Sequence, residues 1–76
     1  MKKEIKAAEE FRRTAFISEG TPGFFTSCWL GGIIGQGRGR EAMVRDTVSH
    51  LRVHGVCCPT IITVDIKGRR QMKVAR

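Results

Sequence analysis

Phe24-Phe25-Thr26-Ser27-Cys28-Trp29-Leu30-Gly31-Gly32-Ile33-Ile34 is the stretch on which the architecture of this 76-residue chain turns. Read as a helix, it starts with Ser27 as N-cap and sets Trp29, Leu30, Ile33 and Ile34 toward a core. Gly31 and Gly32 would then each cost about 1 kcal/mol relative to Ala. Read as a strand, Phe24 to Leu30 is rich in aromatic residues and bounded by glycine on both sides. The short helix is the reading carried forward, with the strand as its alternative.

On the N-terminal side, Lys2 to Phe16 has helical periodicity. At about 100° per residue, Ile5, Ala8, Phe11, Ala15 and Phe16 share a stripe roughly 140° wide. Glu9 and Arg13 form a favourable i,i+4 pair on such a helix. Glu19-Gly20-Thr21-Pro22-Gly23 ends it. On the C-terminal side, Gly35-Gln36-Gly37-Arg38-Gly39-Arg40 reads as a flexible basic loop. A second helix runs from about Arg40 to His54, with Met43, Val44, Thr47, Val48 and Leu51 on one face. Gly55 stops it. After Pro59, Thr60 to Ile66 is a β-branched run with period two, and Lys67-Gly68-Arg69-Arg70 turns into Gln71 to Arg76. This is a β-hairpin, with Ile62, Val64 and Ile66 expected to face the core from one strand, and Met72 and Val74 from the other. The expected fold class is α+β: one small basic domain, residues 1–76, with two main helices, a short middle element and a C-terminal hairpin.

Composition narrows the function. Fourteen Lys and Arg against seven Asp and Glu give a formal charge of +7. The excess is lopsided: residues 1–37 carry five basic and four acidic side chains, and residues 38–76 carry nine and three. Positive charge gathered in one half suits a phosphate backbone. No stretch reaches the ~18 apolar residues of a membrane span. The charged N-terminus is unlike a secretory signal. Three cysteines cannot close a disulfide framework, which points to a reducing, cytoplasmic setting.

Three constellations could carry chemistry. In the first, Arg45, Ser49 and Arg52 share the second helix's face turned from the core, where side chains can reach phosphates and base edges. The segment Asp46-Thr47-Val48-Ser49-His50-Leu51-Arg52-Val53-His54-Gly55, followed by the basic hairpin from Thr60 to Arg76, resembles the recognition helix and wing of winged helix-turn-helix DNA-binding domains. The resemblance implies that Arg45, Ser49 and Arg52 read DNA and that Arg69 and Arg70 act as wing contacts. The match covers the C-terminal half. It departs at Gly35 to Arg40, which is longer and richer in glycine than the turn of such domains.

The second is the Gly-Arg loop, whose backbone N–H groups and the guanidinium groups of Arg38 and Arg40 could hold phosphate before a helix. It is loosely similar to the backbone-clamping loop of KH RNA-binding domains and to the Arg-Gly-Arg lead-in to a helix in Alba-like proteins. The third is a zinc site. His50 and His54 project side by side at i,i+4, with Cys57, Cys58 and Cys28 as thiolates. No C-x-x-C pair accompanies them, so buried cysteines and packed histidines are the expectation, with no cofactor. Catalysis has no paired carboxylates or Cys–His–carboxylate set to work with.

The function expected from these residues is nucleic-acid binding, as a DNA-binding transcriptional regulator, with DNA favoured over RNA. The contacts would be Arg38, Arg40, Arg45, Ser49, Arg52, Lys67, Arg69, Arg70 and Lys73. Alternatives are an RNA- or ribosome-binding module and a small inhibitor or co-regulator that covers an acidic protein. A homodimer, through the hairpin edge or the Phe24–Ile34 segment, would relieve the marginal stability of so short a chain.

Overall fold

A computed structural model of the chain describes the backbone of residues 2–76 and the side chains of residues 8–76. Helix α1 (Lys2–Arg13) leads directly into β1 (Thr14–Thr21), followed by β2 (Phe24–Trp29) and β3 (Gly32–Arg38). Helix α2 (Arg40–Val53) then crosses to β4 (Thr60–Val64), which turns back into β5 (Arg70–Val74). The strands form one sheet in the order β3-β2-β1-β4-β5. All neighbours run antiparallel except β1 and β4, which are parallel and register Ala15 with Ile61. That parallel pair is made possible by α2, because parallel strands need a long crossover.

This architecture corrects the two-helix-plus-hairpin fold class, including its winged-helix-like, KH-like and Alba-like forms: strands dominate, and the middle of the chain is sheet. The expected short helix at Phe24–Ile34 is two strands, so the alternative reading of that stretch is the one realised. The two strands meet at Leu30-Gly31. Both residues have positive φ, 53° and 79°, which makes a two-residue hairpin turn between the paired Trp29 and Gly32. A helix through this point would need negative φ at both.

The first helix ends at Arg13 instead of Phe16. Ala15 and Phe16, expected on one helical stripe, point to opposite faces of β1; Ala15 is buried and Phe16 is exposed. Ile5, from the same stripe, lies outside the described side chains. Ala8 and Phe11 are exposed, so of the described stripe residues those that stay helical are not buried.

The expected flexible loop is also strand. Gly35 and Gly37 lie two apart on β3, facing α2, and this is what the alternating glycines are for. A Cβ on Gly37 would come within 3.3 Å of Met43 Sδ, and one on Gly35 within 3.2 Å of Ser27 Oγ. Removing side chains here lets Met43 sink onto the sheet, where it joins Ala15, Ile17, Phe25, Leu51, Val56 and Ile61 in the core.

Helix α2 follows the sequence closely. Met43, Thr47 and Leu51 are buried at i, i+4 and i+8. The Thr47 hydroxyl satisfies itself by donating to Met43 O at 2.7 Å. The C-terminal hairpin exists, yet its faces are the reverse of those expected. Ile61 and Thr63 are buried under α2, while Ile62 and Val64 face the other way and every residue of β5 is exposed. Period two fixes which residues share a face, but not which face the crossover helix will cover.

Two carboxylates hold the turns at one end of the sheet. Glu19 accepts from Gly23 N at 2.8 Å and from Ile66 N at 3.0 Å, tying the β1–β2 turn to the β4–β5 turn. Asp65 accepts from the Lys67 and Arg69 amides, each at 2.9 Å, and its other oxygen accepts from Arg69 Nε at 2.8 Å. These donors hold the Asp65 carboxyl below its usual range, the Arg69 backbone amide contributing most.

Candidate nucleic-acid interface

Helix α2 packs across β3, β2, β1 and β4, and stops short of β5. The uncovered fifth strand therefore stands beside the helix as the second wall of an open groove of about 730 Å³. Alternation along β5 sends Lys73 to the α2 side, opposite the buried Ile61. Past the strand, Ala75 N donates to Pro59 O at 2.9 Å, which carries the chain end along the same wall.

The groove's helical wall is the stripe Glu41, Arg45, Ser49 and Arg52, with Arg40 at its start. Lys73 and Arg76 line the opposite wall, and the half-buried Val44 and Val48 sit between. Five cations and one carboxylate thus share a single trough. None of the five has an ion-pair partner among the described residues, where the one salt bridge is Arg69 to Asp65. A trough with unpaired guanidinium groups along one rim and an ammonium on the other presents donors to a row of anionic oxygens.

Of the nine expected contact residues, the groove collects Arg40, Arg45, Ser49, Arg52 and Lys73. The other four lie elsewhere. Arg38 pairs in register with Phe24, and Arg70 with Val64, which places both on the face turned from α2. Lys67 sits in the β4–β5 turn, away from the groove, and Arg69 there pairs with Asp65 through Nε. Arg76 was counted in the sequence's charge but not among its contacts. Arg76 lies past the end of β5 and shares the parity of Val74, not of Lys73, so strand alternation carries no signal for its place in the groove.

The histidine pair has a packing role. His50 and His54 lie 4.7 Å apart, and Trp29 stands against both, 5.7 and 5.3 Å away between ring centroids. The indole N–H donates to Arg12 O at 2.6 Å, and Arg12 Nη2 donates to His54 O at 3.0 Å, capping the C-terminus of α2 with a cation. The expectation of buried cysteines is corrected: Cys28 is half-buried on β2, and Cys57 and Cys58, in the connection after α2, are exposed. Among the described residues no three His, Cys, Asp or Glu side chains come together as a metal would need. None of the described helices is long and apolar enough to cross a membrane.

Compared with protein-family models, curated proteins and solved structures, the chain gives no match, so its functional reading rests on its own geometry.

Proposed function

We propose that the protein binds nucleic acid by laying a sugar-phosphate backbone in the groove between α2 and β5. The observation that supports this is the convergence of Arg40, Arg45, Arg52, Lys73 and Arg76 on one trough with Glu41 as its sole acid. Arg45, Ser49 and Arg52 follow one another at i, i+4 and i+7 on the exposed side of a 14-residue helix. That spacing suits a strand of duplex DNA passing along the helix, with Ser49 donating to a phosphate or base edge between two guanidinium groups. Regulation of transcription is the role such binding would serve, and duplex DNA is favoured over single-stranded RNA because the helical stripe is bare of aromatic stacking surfaces.

The test is fluorescence anisotropy of labelled duplex DNA over a salt series, with competition by single-stranded RNA. Five phosphate contacts predict a log–log slope near −4.5, which is a loss of about 500-fold between about 50 and 200 mM salt. Affinity independent of salt would remove the proposal. Preferential displacement by single-stranded RNA would move it to the RNA-binding alternative.

A further inference from the structure

The face of the sheet turned away from α2 carries a row of five apolar side chains, one from each strand. Register places Ile33 beside Cys28, Cys28 beside Phe16, Phe16 beside Ile62 and Ile62 beside Met72. Ile33 is 65% exposed, Phe16 43% and Met72 73%. A sheet with one solvated face alternates polar side chains outward, and this row does the opposite. Val74 widens the patch on one side, where a second groove lined by Ile62, Met72 and Val74 and also by Glu10, Arg13 and Arg76 opens beside it; on the other side lies the more polar row of Gln36, Thr26, Ser18, Val64 and Arg70.

We propose that this face is the dimer interface, covered by the same face of a second copy. Four observations select that occupant. The row contains no charge and no strong hydrogen-bonding group, so it offers an acidic or peptide partner nothing to recognise. It crosses the whole sheet as one flat ridge, and a two-fold operation sets such a ridge against its own copy about 10 Å away, as in a sandwich. Five strands about 4.8 Å apart, with rows about 18 Å long, give two facing sheets a buried area on the order of 1,000 Å², at the threshold of a specific interface. Arg38 and Arg70, on the edge strands near the β1–β2 and β4–β5 turns, stay at the rim, where charged groups belong. The basic groove lies on the opposite face, so pairing leaves both grooves turned outward.

This proposal does not depend on nucleic-acid binding, and its test uses none. Sedimentation equilibrium of the full chain at micromolar concentration should return twice the chain mass. Ile33→Glu and Met72→Glu, at positions exposed in the single chain, should each weaken dimerisation by about tenfold or more, because each buries an unpaired charge. Val53→Glu, at an 83% exposed position on α2, should leave the dimer unchanged. Thiol labelling gives an independent reading without substitution: Cys28 should react faster on dilution, while Cys57 keeps a constant rate. A monomer at all concentrations would overturn the proposal, as would a dimer broken by Val53→Glu and indifferent to the other two. A Cys28 labelling rate independent of concentration would overturn it as well.

Discussion

Leu30 occupies the left-handed region at φ 53°, a position where an L-residue other than Asn, Asp or Gly pays about 1–2 kcal/mol. Its side chain is half exposed, so little packing offsets that cost. Leu30→Asn should therefore raise stability by about 1 kcal/mol, read as a higher urea midpoint with an unchanged m-value. Gly37 makes the opposite case. A β-branched side chain there must enter the space of Met43, and Gly37→Val should destabilise by about 1–3 kcal/mol despite its better strand propensity. Equal or higher stability for this variant would show that the glycines are not there to admit Met43. The sequence does contain this signal, since Gly35 and Gly37 stand at strand spacing. Read beside Arg38 and Arg40, however, glycine suggests a mobile loop, because its absence of a side chain serves flexibility and close packing alike.

At the scale of elements, legibility followed how much each segment's own pattern decided. Helix α2 was readable because Met43, Thr47 and Leu51 repeat at the helical period and Gly55 marks the stop. The β4–β5 hairpin was readable from β-branched alternation and Gly68. Strand β2 was ambiguous, since Trp29, Ile33 and Ile34 fit helical spacing, and pairing with β1 and β3 decides the matter from outside the segment.

The β4–β5 turn gives a pH prediction. Its Asp65 carboxyl is held below the ordinary value by the Arg69 and Lys67 donors, so the stabilisation is fully present above the unfolded-state value. It is lost as pH falls through the lower, folded-state value. Asp65→Asn should weaken the turn at neutral pH and flatten this acid limb, followed by the amide resonances of Lys67 and Arg69. An unchanged acid limb would contradict the assignment. The groove gives a second prediction at this scale. Arg45→Ala and Arg52→Ala should each lower the salt slope for duplex binding by about 0.9. Arg69→Ala, whose guanidinium is engaged by Asp65, should leave it unchanged.

In the whole molecule, the groove exists because a four-strand-wide helix layer rests on a five-stranded sheet. That mismatch is a property of topology. Nothing within Thr14–Thr21 announces that it will lie at the sheet's centre with a parallel neighbour from 46 residues further on, as in Thr14 beside Thr60. The sequence's charge asymmetry located the cations in the correct half of the chain. It could not separate those that α2 and β5 bring together from Arg38 and Arg70, which alternation sends to the other face. For the same reason the candidate site was legible on the helix, where Arg45, Ser49 and Arg52 already share a side. It was only half legible on the strand, where Lys73 was named and Arg76 was not.

The most direct test of the groove is a map of backbone amide NMR shifts during titration with duplex DNA at low salt. The account predicts that perturbations concentrate on Arg40 to Arg52 along the exposed side of α2 and on Lys73 to Arg76, and that Phe16, Ile33 and Met72 stay unmoved. Shifts centred on the opposite face of the sheet, or none at saturating DNA, would contradict it.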